Sequence, residues 1–210
     1  MNSLVRFRKA LVFMATISFA SNAFAGGGPL GIDHKWSYDN SGIYKRQIQK
    51  NLLYFLVVGD FGGALWEGDQ SRLGKTLWQS VDSTILASAS AAVMKQVFTR
   101  ARPSQTDNPN LFFQGGSHYS FPSGEVAAIS GLVTPFVLEY SKDTPWAYAL
   151  ELLPIYDGVA RMKVQGHWQT DVLAGFAVGT LSGYYAHSRE KSFTIQILPR
   201  GLALGIKRQF

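Results

Sequence analysis

Three glycines recur at every fourth position in an apolar segment near the carboxyl end of the chain, at Gly175, Gly179 and Gly183. On a helix this spacing places them along one face, where the missing side chains let a second helix approach closely. The apolar run around them, residues 172–185, is short for a membrane span, since crossing a bilayer takes about 20 apolar residues. The segment therefore predicts a helix of a soluble bundle rather than a membrane span, and together with the segments below it suits an all-α fold of about six helices.

The other segments fit a bundle with a short β-hairpin at its end. A helix capped by Ser41 is predicted to begin near Ile43 and to continue through residues 52–58 as a buried segment, which Asp60 and the pair Gly62-Gly63 interrupt. Further helices are predicted over about 75–99, 123–140, 145–159 and 167–187. Two alternating segments over about 193–210 predict a C-terminal β-hairpin. Residues 104–121 form a long loop, and long structured loops in compact domains are often functional.

The first 25 residues are typical of a secretory signal peptide. Three basic residues precede a short apolar stretch, and Ala23 and Ala25 complete an A-x-A cleavage site. The pattern predicts an exported protein of a bacterial periplasm, with an uncleaved N-terminal membrane anchor as the alternative. Residues 26–42, rich in glycine and polar residues, are predicted to be an extended lead-in. Residues 43–210 are predicted to form a single helical domain.

Charge and cysteine content narrow the classes of function. The net charge is +6, and three of these charges come from Arg6, Arg8 and Lys9 in the N-terminal segment. The rest of the chain is only mildly basic, which excludes the dense basic face of a nucleic-acid-binding protein. A mild positive charge suits contact with anionic small molecules or a membrane surface. There are no cysteines, so no disulfide framework is expected.

A first cluster of cations closes the Ala-rich segment. Lys95 and Arg102 are seven residues apart, two helical turns, and so are predicted to share a face. Two cations on one face of an apolar helix need an anion or carboxylates to pair with. Arg100 falls off that face and is expected to be solvated.

A second cluster lies where the next helix begins, at Pro122-Ser123-Gly124-Glu125. Free N–H groups at a helix start bind anions, Gly124 lets the backbone approach a ligand, and Ser123 can add a hydroxyl. Simple helix capping is the alternative, with Glu125 favoured in the first turn by the helix dipole.

A third cluster, in residues 158–171, contains Arg161, His167 and Asp171. His167 and Asp171 are four residues apart and share a face if the segment is helical. A bend near Gly166 would bring Arg161 to them. A cation, a base and an acid together indicate chemistry on an anion, with the carboxylate orienting the imidazole. The alternative is a half-buried histidine beside a capping aspartate.

Taken together, the three clusters suit phosphoryl transfer, which needs charge neutralisation, positioning and an in-line nucleophile. Their order over residues 95–171 is Lys, six residues, Arg-Pro, then Pro-Ser-Gly, then Arg, five residues, His, three residues, Asp. This order resembles the three-part signature of the type 2 phosphatidic acid phosphatase superfamily. That superfamily includes lipid phosphatases, bacterial class A acid phosphatases and vanadium haloperoxidases.

The resemblance implies an all-α phosphatase that needs no metal or other cofactor and passes through a phosphohistidine. His167 would be the nucleophile and Asp171 its partner. The residues that would hold the phosphate are Lys95, Arg102, Ser123, Gly124 and Arg161.

Two positions depart from the family pattern. Ala160 stands where the family usually has serine, and Glu125 stands where it has the histidine that protonates the leaving group. Three consequences are open. Glu125 acts as the general acid, with an optimum at low pH; or His118 reaches in from the loop; or the enzyme is slow or limited to good leaving groups.

The expected function is therefore an exported phosphomonoesterase. Its phosphate ester is either a lipid phosphate, approached by peripheral membrane contact, or a small soluble ester. The aromatic loop suits a lipid, although the same rings could simply plug the bundle; they are Phe112, Phe113, Tyr119 and Phe121. A vanadate-dependent haloperoxidase is disfavoured by the short chain. A non-catalytic phosphate- or lipid-phosphate-binding protein, its general acid lost at Glu125, is the rival from another class.

Overall fold

The computed structural model describes residues 27–189, 196–198 and 201–203. Within them, five α-helices are present: α1 (Arg46–Glu67), α2 (Arg72–Phe98), α3 (Gly124–Tyr140), α4 (Leu152–Lys163) and α5 (Gln169–His187). Short 3-10 helices, Gly42–Tyr44 and Pro145–Glu151, precede α1 and α4. Two strands, β1 (Gln196–Leu198) and β2 (Gly201–Ala203), pair antiparallel with Ile197 opposite Leu202.

The predicted all-α character is confirmed in the described residues, whereas the predicted count of about six helices is not. Residues 145–151, predicted as the first half of an α-helix, form a 3-10 helix instead. The predicted signal peptide, residues 1–25, lies outside the described residues. Most of the predicted hairpin over 193–210 lies outside them too, and it stays a prediction. Among the described helices, none is both long and apolar enough to cross a bilayer.

Helix α3 is the centre of the bundle and packs mainly against α5 and α2. The glycine face of α5 makes the first of these contacts possible. A Cβ at Gly175 would lie 2.4 Å from the carbonyl oxygen of Ser123, and one at Gly179 would lie 2.4 Å from that of Ala127. The predicted close helix approach is confirmed, and it sets the first turn of α5 against the start of α3.

Helix α1 runs without interruption through Asp60, so the predicted break there is wrong. Asp60 faces inward, where Ser80 Oγ donates a hydrogen bond to it at 2.9 Å, and it therefore starts no turn. The predicted burial of residues 52–58 is also wrong for one face of the helix. Tyr54, Phe55 and Val58 are 65%, 76% and 69% exposed.

The loop between α2 and α3 is anchored by aromatic side chains. Helix α2 ends before Pro103, because Thr99 adopts a left-handed conformation with φ of 34°. Beyond it, Phe121 packs edge-on against Phe98 at 5.1 Å and lies 5.8 Å from Phe112 between ring centroids. These contacts hold the end of the loop, with the residues that enter α3, against the carboxyl end of α2.

We predict that Asp60→Asn stabilises the protein at alkaline pH. Burial raises the pKa of the Asp60 carboxyl from its ordinary value of 3.8 to about 7, despite the hydrogen bond from Ser80. The native protein thus keeps a proton that the unfolded chain releases, and native stability falls as the pH rises between those two values. The asparagine side chain mimics the protonated form of the acid. The gain in Tm should be largest at pH 8 and should shrink as the pH falls toward 4.

Asp69→Asn, at an exposed position beyond the end of α1, is the matched control and should leave Tm unchanged at each pH. The Tm is measured by thermal unfolding. Equal changes in Tm caused by Asp60→Asn at pH 4 and at pH 8 would contradict the raised pKa of Asp60.

Candidate functional site

A cavity of about 670 Å³ lies among the start of α1, the end of α2, the start of α3 and the connection from α4 to α5. Six of the eight predicted site residues line it: Lys95, Arg102, Gly124, Glu125, Arg161 and His167. The other two, Ser123 and Asp171, are fully buried beside it. Residues that are 76 positions apart in the chain, from Lys95 to Asp171, therefore meet in one place.

In the described part of the chain, the side chains of Lys95 and Arg102 have only backbone carbonyls as hydrogen-bond acceptors at the cavity. Lys95 Nζ donates to the carbonyl oxygens of Tyr119 at 2.9 Å and Pro122 at 2.5 Å. Arg102 Nη2 donates to the Tyr119 carbonyl at 3.4 Å. Burial, followed by the nearby Arg102 charge, lowers the pKa of Lys95 to about 8. The ammonium would thus gain from an anion in the cavity.

Arg161 is the most deeply buried of the three predicted cations, at 5% exposure. Its Nη1 donates at 3.5 Å to Gln49 Oε1, and its Nε has no hydrogen-bond partner among the described residues. Burial lowers its pKa to about 10. A Cβ at position 166 would lie 2.5 Å from Arg161 Nη2, which explains the glycine there.

None of these three cations forms a salt bridge with a carboxylate among the described residues. Buried charges are ordinarily paired, because leaving water without a partner is costly. The arrangement is therefore that of an anion site.

The start of α3 adds neutral donors to this site. Ser123 is the N-cap residue of α3, and its buried Oγ has no hydrogen-bond partner in the described part of the chain. A Cβ at Gly124 would lie 3.4 Å from Lys95 Cε, so glycine keeps the ammonium close to the helix start. Backbone N–H groups at such a start favour an anion. A hydroxyl, free N–H groups and an ammonium thus meet at one end of the cavity.

His167 lies just before α5, which begins at Gln169, rather than on the helix as predicted. Its Nδ1 is 2.7 Å from the carbonyl oxygen of Ser120. A carbonyl can only accept, so Nδ1 carries the hydrogen and Nε2 keeps its lone pair. Burial, with the charges of Arg161 and Lys95, lowers the pKa of His167 to about 3 despite Asp171. The imidazole is therefore neutral at ordinary pH.

Asp171 lies beside His167, as their spacing predicts, but beyond hydrogen-bond distance of its Nδ1. Its Oδ2 lies 3.8 Å from His167 Nδ1 and accepts instead from Ser120 Oγ at 2.5 Å and from the Trp168 N–H at 2.8 Å. Since Ser120 is also the residue whose carbonyl binds His167, the carboxylate acts on the imidazole through Ser120. The reason is that Asp171 sits in the first turn of α5 and caps it, while His167 precedes the helix.

Glu125 is paired with Arg46, a residue of α1 that the sequence analysis did not identify. Arg46 Nη1 donates to Glu125 Oε2 at 2.6 Å, and Nη2 donates to Oε1. Burial alone would raise the pKa of Glu125, but the hydrogen bonds from Arg46 and the charges of Arg161 and Arg46 hold it below its usual value. Glu125 is the one acid among the described residues that line the cavity. His118, whose Nδ1 lies 2.8 Å from the Gly115 carbonyl oxygen, is not among the lining residues.

Arg100 is completely buried, so the expectation that it is solvated is wrong. It lies beyond the last residue of α2, and the helical-face argument did not apply to it. Its guanidinium donates to Asp171 Oδ1 at 2.5 Å and to Asp33 Oδ2 at 2.6 Å. Asp33, in the predicted lead-in, is a second residue of the site region that the sequence analysis missed. No local signal distinguishes it, because Lys35 and Asp39 lie in the same segment.

Comparison with known proteins assigns this region to a family. Residues 76–193 match the model of the PAP2 superfamily, which is the superfamily that the motifs resemble. The matched range contains all eight predicted site residues and leaves out Asp33 and Arg46.

Three similar proteins are each described as a lipid A 1-phosphatase. The protein of Porphyromonas gingivalis is 31% identical over 63% of this chain and 27% of its own length. The protein of Rhizobium johnstonii is 31% identical over 42% of this chain and 37% of its own length. The protein of Rhizobium etli is 28% identical over 52% of this chain and 47% of its own length. The chain thus spans less than half the length of each of these relatives. A crystal structure of Aquifex aeolicus LpxE superposes with a TM-score of 0.39 at 20% identity, covering 67% of this chain and 92% of that one.

We predict that Glu125→Gln tightens the binding of inorganic phosphate. The change removes the negative charge that lines the cavity and releases Arg46 from its carboxylate partner. The Kd should fall by roughly tenfold, the order expected when one like charge is removed from a partly screened site. Isothermal titration calorimetry at pH 7 measures it, with Asp69→Asn as the control that leaves the Kd unchanged. Equal or weaker binding by Glu125→Gln would mean that Glu125 is uncharged or helps to hold the anion.

Proposed function

The chain belongs to the PAP2 superfamily, and on that premise we propose that it is an exported, metal-independent phosphatase that hydrolyses lipid phosphate monoesters through a phosphohistidine. The observation that carries the proposal is a set of three cations around a neutral imidazole: Arg161 is buried, Lys95 and Arg102 are half-buried, and none has a carboxylate partner among the described residues. The names of the similar proteins support a lipid phosphate as substrate. The signal-like N-terminal sequence supports export.

In the proposed mechanism, the phosphate oxygens are bound by Lys95, Arg102 and Arg161, with Ser123 Oγ and the N–H groups at the start of α3. The lone pair of His167 Nε2 forms a bond to phosphorus as the bond from phosphorus to the ester oxygen breaks. That oxygen takes up a proton and leaves as an alcohol. A water oxygen then attacks the phosphohistidine, releasing inorganic phosphate and the free imidazole.

Asp171 and Ser120 support the nucleophile in this scheme. The Ser120 carbonyl holds the hydrogen on Nδ1 throughout, so that Nε2 is the reacting nitrogen. The ring becomes positively charged when Nε2 binds phosphorus, and the Asp171 carboxylate 3.8 Å away stabilises that charge.

Glu125 is the proposed source of the proton for the leaving alcohol. Its pair with Arg46 holds the pKa of Glu125 low. A bound phosphate dianion competes for Arg46 and repels the carboxylate, and both effects favour the protonated acid. The scheme therefore requires an acidic pH optimum, because a general acid works only while it holds its proton.

The exposed face of α1 supports a lipid substrate at a membrane surface. From residue 51 to residue 66 the one charged side chain is Asp60, which is buried, while Phe55, Val58 and Trp66 are exposed. Lys50, one turn before this face, lines the cavity. An apolar helix face next to cations is suited to lie on an anionic bilayer. A small soluble ester remains the alternative substrate.

The nucleophile is tested by trapping. With a phosphate ester labelled in the phosphoryl group, rapid quenching should recover label on the protein in an acid-labile, base-stable bond. His167→Ala should trap none, and its kcat should fall by roughly 10³-fold or more. His118→Ala, which changes a histidine outside the cavity lining, should trap label as the wild type does.

Wild-type protein that binds phosphate but hydrolyses no phosphoester between pH 4 and 8 would contradict the proposal and favour the non-catalytic binding protein. In that case turnover gained by Glu125→His would assign the loss of activity to the missing acid.

Membrane contact is tested with the double variant Phe55→Ser/Val58→Ser, which removes apolar surface from α1. In a flotation assay, the wild type should float with vesicles that contain anionic lipid. The affinity of the variant for these vesicles should be lower by at least about tenfold, because each buried apolar side chain contributes about 1.5–3 kcal/mol. Hydrolysis of a lipid phosphate in the vesicles should fall in parallel, while hydrolysis of a soluble ester should not change.

Trp146→Ser removes an aromatic side chain that is 84% exposed on the 3-10 helix before α4 and serves as the control. Equal flotation of all three proteins would show that α1 does not face the lipid, and the soluble ester would then be the favoured substrate.

A further inference from the structure

We propose that Asp33 is a positioning residue for phosphoryl transfer. By neutralising Arg100, Asp33 leaves a net negative charge behind the nucleophilic His167. The inference rests on the proposed function. Asp33 lies outside the residues that match the family model and outside the motifs of the sequence.

Arg100 uses every N–H of its guanidinium in a buried site. Nη1 donates to Asp171 Oδ1 at 2.5 Å and to Thr170 Oγ1 at 2.8 Å. Nη2 donates to Asp33 Oδ2 and to the Pro109 carbonyl oxygen, both at 2.6 Å, and Nε donates to the same carbonyl at 3.1 Å. The side chains of Arg100, Asp33 and Asp171 are all 0% exposed. The three charges therefore interact in a medium that screens them poorly.

The N-terminal segment is shaped to place the Asp33 carboxylate. Asp33 pairs with Gly27 through two backbone hydrogen bonds, of 2.8 and 2.9 Å. Gly28, between them, has a φ of 78°, and a Cβ there would lie 2.0 Å from Asp33 Oδ2. The carboxylate also accepts from the Thr170 N–H at 2.8 Å and from Thr170 Oγ1 at 2.6 Å. Asp33 is thus held both by its own turn and by the first turn of α5.

The sign of the charge behind His167 depends on this residue. Asp171 is the carboxylate next to the imidazole, but Arg100 bonded to it cancels its charge. Asp33 cancels Arg100 in turn, and the buried group of three carries one net negative charge. The imidazole is neutral before the reaction and positive once Nε2 is bonded to phosphorus. An interaction that strengthens only in the transition state raises kcat and leaves KM unaffected.

The test is Asp33→Asn, which keeps the size of the side chain and removes its charge. The kcat for a phosphate ester and the rate of phosphohistidine formation should both fall by roughly tenfold or more, without a rise in KM. Asp107→Asn is the control, because it breaks an exposed ion pair with Lys35 of the same segment, and it should leave both rates unchanged. Equal kcat in Asp33→Asn and wild type overturns the proposal.

The double variant Asp33→Asn/Arg100→Gln separates charge from structure, since it restores the single net negative charge. Its kcat should recover to within about threefold of the wild type, whereas a purely structural role of Asp33 predicts a further loss. If Asp33→Asn does not fold, as judged by circular dichroism, the double variant alone decides. A double variant that folds but shows no turnover overturns the proposal.

The binding of orthovanadate tests this inference independently of the proposed function, because it needs no turnover. Vanadate can bond to an imidazole nitrogen, whereas inorganic phosphate binds without forming that bond. Asp33→Asn should weaken vanadate binding by roughly tenfold and should not weaken phosphate binding. That result would support the charge arrangement even if the wild-type protein had no turnover. A lack of turnover would contradict only the proposed function. Equal effects on both anions would overturn the inference.

Discussion

The constraint on which this structure depends is the burial of positive charge that has no carboxylate partner within residues 27–189. Lys95 and Arg161 are withdrawn from water, and burial lowers the pKa of each. The protein offers them carbonyl and amide oxygens instead of acids. The apolar packing of α3 against α2 and α5, made close by the glycine face of α5, is what can hold such groups in place. The cations thus destabilise the protein while the cavity is empty, and this cost is what favours the binding of an anion there.

A chain of hydrogen bonds connects the nucleophile to the N-terminal segment that contains Asp33. It runs from His167 to the Ser120 carbonyl, from Ser120 Oγ to Asp171, and from Asp171 through Arg100 to Asp33. Each member has a partner on both sides, which is the condition under which a buried polar network gives a unique geometry. The orientation of the imidazole consequently depends on three segments of the chain, which contribute Asp33, Arg100 with Ser120, and Asp171.

The sequence predicted the elements of the site that depend on short spacing. Lys95, Arg161 and the start of α3 were identified because each lies in a local pattern, and the cavity brings them together. The partners Arg46 and Asp33 were missed, because pairs that form across 79 and 67 residues leave no local pattern. Helical periodicity also misplaced two residues. It put Arg100 in solvent and His167 on a helix face, although both lie outside the helices to which the rule was applied.

The pair between Arg46 and Glu125 gives the cavity a built-in competitor for any anion that enters it. Glu125 is attached to the start of α3, and it therefore acts on Arg46 at a high effective concentration that no dissolved monovalent anion matches. A small anion with one charge gains little by displacing it. A phosphate group, with several oxygens and two charges, can engage the neighbouring cations at the same time and can exceed that threshold. In this arrangement a monovalent anion competes poorly with Glu125 for Arg46, and a multivalent anion competes better.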